Sequence, residues 1–209
     1  MFAPFYEAIA DVSVTIREHC DRLGRPVVGV LPAYFPLELV HAAGGYPVQI
    51  WGAGVAIDHA EAYLQPYCCS VARSALELEM RAAAPPIQAY VFTSLCDTLI
   101  NLRELYRRLF SKPVLGLSIP AAQSDEGRRT FLAAAVADLR NGLERITGRR
   151  ASTDALRESA RRFGRVRSLQ RALYRLRRER PGAMRNAYFT AVLKAGFCLP
   201  VEVYGDLLE

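Results

Sequence analysis

The sequence has no stretch able to cross a bilayer: its longest apolar runs, such as residues 131–137, fall far short of the roughly 20 residues a membrane helix needs. It also lacks a secretory leader, because Met1-Phe-Ala-Pro-Phe-Tyr-Glu7 carries neither a basic start nor a continuous apolar core. Both absences point to the cytoplasm, where disulfides are rare. The five cysteines include no CxxC pair, no zinc-type spacing and no ferredoxin-type run, which leaves core packing, catalysis or a metal to account for them. Internal repeats, low-complexity tracts, long linkers and nucleic-acid-binding motifs are missing as well.

What is present suits a globular protein. Hydrophobic residues make up 51% of the 209, enough for a sizeable core. A formal charge of +6 could signal a phosphate-bearing partner. The arginines, however, concentrate in residues 149–185, mixed with apolar residues at helical spacing and interrupted by Glu158 and Glu179. That pattern predicts a solvated helix face, with neither nucleic acid nor membrane as partner.

Periodicity gives the elements. Residues 5–23 read as one amphipathic helix ending at Gly24, followed by a β-branched strand over 26–31 and a helix over 37–43 closed by Gly44-Gly45. A second strand is expected over 46–51, with a helical pattern over 58–64. The same grammar repeats: helix 70–84 stopped by Pro85-Pro86, strand 89–93, helix 97–110, strand 114–119. Strands that alternate with helices and stay apolar along their length predict an α/β fold, a Rossmann-like parallel sheet flanked by helices. From Ser124 the strand signal ends and helices are expected over 126–147, 153–180 with Ser152 as N-cap, 185–195 and 201–209. The expected division is an α/β domain over 1–122 and a helical C-terminal extension over 123–209 that packs on that domain or on a partner.

In such a sheet, ligands bind outside the C-terminal ends of the strands. The loops to inspect are therefore 32–36, 52–54 and 94–97. Cys68 and Cys69 precede a helix, where free amides and the helix dipole favour thiolate. Cys96 opens another helix, with Asp97 beside it as a possible cap. Thiolates at one sheet edge could converge on a soft metal or cluster, although a loop cysteine is also commonly a small apolar filler. Glu38 could be a supporting carboxylate or a substrate contact, or only a dipole-favoured helix start. Tyr34 could touch an acyl group or pack as an aromatic. Arg73 could offset cluster or phosphate charge or sit on an exposed helix turn. His41 reads as a packed or surface histidine, and Cys20 and Cys198 as structural.

Residues 28–44, Val-Gly-Val-Leu-Pro-Ala-Tyr-Phe-Pro-Leu-Glu-Leu-Val-His-Ala-Ala-Gly, followed by Tyr46-Pro-Val-Gln-Ile50, resemble the opening of 2-hydroxyacyl-CoA dehydratase and benzoyl-CoA reductase subunits (2-hydroxyglutaryl-CoA dehydratase D-component-like). Cys69-Ser-Val-Ala-Arg-Ser74 resembles that family's first cluster cysteine with its trailing residues, and Ser94-Leu-Cys-Asp97 the second. The resemblance implies a 4Fe-4S cluster held by three cysteines, with Cys69 and Cys96 as ligands, Cys68 as a substitute, and Ser70 and Arg73 beside the cluster. It implies radical chemistry on a CoA thioester, an electron from an ATP-dependent iron-sulfur activator, and a homologous subunit as partner. Beside that resemblance, Glu38 and Tyr34 stand as the candidate catalytic residues from their own positions, as possible contacts of an acyl-CoA substrate. Relatives of this kind are about twice as long, and their third cysteine ligand is not found in this chain, so the chain reads as an N-terminal half. The alternative of the same fold is a non-catalytic electron-transfer or subunit-interaction domain.

Overall fold

A computed structural model describes residues 2–31, 35–120 and 125–209. Its centre is a four-stranded, all-parallel sheet in the order β2-β1-β3-β4, formed by Val27–Val30 (β1), Tyr46–Gln49 (β2), Ala89–Thr93 (β3) and Val114–Leu117 (β4). Every residue of the two central strands is buried, while the edge strands are only partly covered. That is the burial expected of a parallel sheet sandwiched between helices. Pro47, which cannot donate to a ladder, sits in edge strand β2.

Successive side chains feed two cores. Val27, Leu31, Tyr90 and Phe92 join one cluster; Val28, Val30 and Val91 join the other. The first face is covered by α1 (Ala3–Ala10), α2 (Val12–Leu23), α4 (Ser70–Met80), α5 (Asp97–Leu109), α8 (Asn186–Ala195) and α9 (Val201–Leu207). The second is covered by α3 (Leu37–Ala42) and α6 (Asp125–Thr147). The long α7 (Thr153–Glu179) reaches both clusters, with Phe163 and Val166 in the first and Leu156 against the second. The C-terminal helices thus pack on the sheet-bearing part of the chain.

The expected α/β architecture with its helical C-terminal region is present, and Ser152 does cap α7 by accepting from Ala155 N–H. Several boundaries differ. The single helix expected over 5–23 breaks at Asp11, whose backbone is extended and whose side chain accepts the Val14 N–H at 3.0 Å, ending α1 and capping α2. A short acidic side chain competes for backbone donors and so favours caps over helix interiors. The pattern over 58–64 is only a 3-10 turn, His59–Ala62. Helix α4 ends four residues before Ala84: Ala82 takes a left-handed conformation (φ 52°), its N–H donates to the Glu79 carbonyl at 3.1 Å, and Ala83 N–H donates to the Leu78 carbonyl at 2.9 Å. This pair of bonds is a Schellman stop, made here with alanine where glycine is usual.

Candidate functional site at the carboxyl edge of the sheet

The chain leaves β1 toward β2 on one side and reaches β3 and β4 on the other, so the order reverses between β1 and β3. Ligands in open parallel sheets bind outside the strands' carboxyl ends at such a point. Cys96 follows β3 there. Because α4 crosses back from β2 to β3, its N-terminus and Cys69 lie toward the same edge.

Cys69 and Cys96 are the N-cap residues of α4 and α5, both exposed, and neither side chain bonds to its helix. Asp97 is the first residue of α5, an acidic group in the first turn, and not the cap expected of it. Cys68 is half-buried against the first core, and its N–H donates to the Gln65 carbonyl at 3.0 Å. Of the adjacent pair, Cys69 is the thiol turned to solvent. The helices are tied together by the Tyr106 hydroxyl, which donates to the Ala75 carbonyl at 3.0 Å. A cleft of about 620 Å³ runs beside their N-termini, lined by Tyr63, Tyr67 and Cys68 on one side and Asp97, Asn101 and Glu104 on the other.

Ser70 opens α4 in an exposed position, and its carbonyl accepts the Ser74 hydroxyl at 2.6 Å. Arg73 is not on an exposed turn: its side chain is mostly covered and donates to Glu61 at 2.7 Å, bridging α4 to the 3-10 turn. Glu38, in the first turn of α3, pairs with Arg167 of α7 at 2.6 Å. Tyr34 lies outside the described residues.

Two arrangements escaped the sequence reading. Glu77 is fully buried in α4 and accepts from the backbone N–H groups of Asp58 and Ala60 at 3.0 and 2.8 Å, from His59 at 3.0 Å, and from Arg81. Burial pushes its carboxyl up, but these bonds outweigh that effect and hold it well below the usual carboxylate range. It thereby anchors the segment that carries the cleft's tyrosines. Its signal in the sequence was Glu77-Arg81 at i,i+4 within an apolar helix.

The second is a Ser-His-Glu contact joining α3, α7 and α9. His41 lies 3.0 Å from the Ser159 hydroxyl and 2.9 Å from Glu202, which also meets Arg25 at 3.3 Å. Burial raises the Glu202 carboxyl, yet the bonds from His41 and from its own backbone N–H, with the charge of Arg25 nearby, bring it down to about 2. Nucleophilic chemistry does not fit this trio, because Ser159 is fully buried and its hydroxyl donates to the Glu38 carbonyl at 2.8 Å. His41 is therefore a packed histidine, as expected, and Cys198 a buried structural one.

Among the described residues, no three His, Cys, Asp or Glu side chains group as a metal site, and no helix is long and apolar enough to cross a membrane. The chain offers two exposed thiols at its rim, short of the three cysteines expected for a four-iron cluster.

The 2-hydroxyglutaryl-CoA dehydratase, D-component, family matches residues 32–209. A benzoyl-CoA reductase subunit from Thauera aromatica is 32% identical over 188 residues, 88% of this chain and 49% of the relative. The beta subunit of lactoyl-CoA dehydratase from Anaerotignum propionicum is 32% identical over 82% of the chain and 46% of its own length. The beta subunit of (R)-2-hydroxyglutaryl-CoA dehydratase from Acidaminococcus fermentans is 26% identical over 89% of the chain and 50% of its own. The chain spans about half the length of these relatives.

Proposed function

Because the chain belongs to the 2-hydroxyglutaryl-CoA dehydratase D-component family, we propose that it forms the cluster-bearing N-terminal part of an enzyme that dehydrates a 2-hydroxyacyl-CoA or reduces an aromatic acyl-CoA. The observation that carries this reading is the pair of exposed thiols, Cys69 and Cys96, each heading one of two helices packed together at the edge where parallel sheets hold ligands. A 4Fe-4S cluster would take these two cysteines from this chain and its remaining protein ligand from outside the described residues. Such a group supplies single electrons at low potential when bound.

The chain's own residues have separate tasks in this scheme. Free N–H groups at the starts of α4 and α5 would donate hydrogen bonds to cluster sulfur held between the two helix ends. Arg73, largely covered and held by Glu61, places a fixed positive charge one turn into α4. Glu77 holds the 58–60 backbone and so shapes the cleft beside Cys68. The activator, the homologous subunit and the acyl-CoA are proposed partners of the complete enzyme.

The test is anaerobic purification from the source, with any subunit that accompanies the chain, followed by iron and acid-labile sulfide analysis. The expected result is bound iron and sulfide that disappear in Cys69→Ala and in Cys96→Ala and persist in Cys198→Ala. A colourless, iron-free protein, or iron indifferent to Cys69 and Cys96, overturns the reading. Turnover of a 2-hydroxyacyl-CoA against an aromatic acyl-CoA, with a low-potential electron donor, then separates dehydratase from reductase.

A further inference from the structure

A cavity of about 340 Å³ lies on the first face of the sheet, between the junction of α1 and α2, the end of β2 and the C-terminal half of α4. No cysteine lines it, and along α4 its wall runs from Ala75 to Glu79, about 9 to 15 Å from Cys69 at the helical rise. Ile9, Ile50, Leu78 and Ile87 make most of its lining apolar.

The polar groups reaching the deep wall are already engaged. Glu79 accepts the Tyr90 hydroxyl and pairs with Lys112, and the Tyr106 hydroxyl is given to the Ala75 carbonyl. An anion entering would face a buried carboxylate with no cation left to receive it. The wall on the β2 side is a built feature. Gly52 adopts φ 70°, and a Cβ there would collide with the Ser74 side chain, so only glycine brings this loop against α4, where the Ala53 N–H donates to Ser74 at 3.3 Å. At the mouth stand Val12 and Trp51, the latter 46% exposed.

We infer that this cavity is a binding site for a small uncharged molecule, a single six-membered ring or a branched aliphatic group carrying at most one hydroxyl. The volume sits at the lower end of known ligand sites and is about twice that of an apolar cavity that takes benzene. A hydroxyl would be met by Ser13, in the first turn of α2. The inference does not depend on the cluster reading.

Trp51 is the chain's one tryptophan, so its emission reports this site alone. Titration of the purified protein with cyclohexanol is expected to produce a saturable blue shift, and cyclohexanecarboxylate over the same range none. Ala75→Leu, which fills the cavity from α4, is expected to weaken cyclohexanol at least about tenfold. Should that variant not fold, Val12→Phe on the exposed rim is expected to do the same. Cys69→Ala is expected to leave the titration unchanged, which keeps failure here distinct from failure of the cluster reading. A non-saturating response, equal binding of the carboxylate, or full affinity in a folded filled variant overturns the inference.

Discussion

At its N-terminal end α4 starts with Cys69, an exposed residue whose side chain caps nothing, whereas its C-terminal end carries Glu77 and Glu79, two buried carboxylates with every oxygen engaged, and closes in a complete Schellman stop. The same 11-residue helix thus holds strong donors and acceptors in matched pairs at one end and leaves a reactive group uncommitted at the other. Buried polar groups stabilise only when satisfied, so the C-terminal end is where the fold is held. A surface thiol without partners adds little to stability, which leaves Cys69 free for the ligand role proposed above.

This contrast predicts the largest effect at Glu77. Glu77→Gln leaves the N–H groups of Asp58 and Ala60 poorly matched and Arg81 without its partner, and thermal melting should fall by on the order of 10 °C. The pH dependence has a definite sign. The carboxyl is held below its ordinary 4.5 in the folded chain, so its contribution is complete above that pH and is lost as pH falls below it. Urea midpoints followed downward from pH 6 should drop less steeply in Glu77→Gln than in the natural chain. Equal slopes would mean that another group sets the acid limit.

Tyr90→Phe tests the second carboxylate more gently. It deletes the hydroxyl given to Glu79 and leaves Lys112 in place, and urea denaturation should show a loss of about 2 kcal/mol with an unchanged slope. Ala82→Gly should move stability the other way. The left-handed backbone of Ala82 costs an L-residue energy that glycine avoids, and the gain should be about 1 kcal/mol in the same assay. No gain would show that the stop at Ala82 carries no strain.

Local chemistry accounts for what was readable in the sequence. β1 and β3 showed as continuous apolar runs because both faces of the sheet are covered, and Gly24 and Ser152 showed as helix limits because each acts within its own turn. The stop at Ala82 was invisible because the conformation that ends α4 is imposed without the usual glycine. Asp11 gave no break in the helical pattern because its side chain can either ride on a helix surface or cap the next helix, and only the packing of α1 against α8 decides. The His41, Ser159 and Glu202 contact joins residues more than 100 positions apart, beyond the reach of any periodicity. The cysteine motifs identified their positions by resemblance; that Cys69 faces solvent while Cys68 packs inward needed the fold.

The smallest stability effect carries the most weight for function. Cys69→Ala removes a side chain that is exposed and bonds to no helix amide, so the apo protein should lose no more than about 0.5 kcal/mol. Cys198→Ala, which empties a packed position where the sulfur meets the Ala8 and Ala195 carbonyls, should cost about 1 kcal/mol or more. The reverse ranking would make Cys69 the packing residue. The predicted ranking, together with loss of iron in Cys69→Ala alone of the two, would separate a ligand from a filler by two independent measurements: an energetic null at the rim and a compositional one in the core.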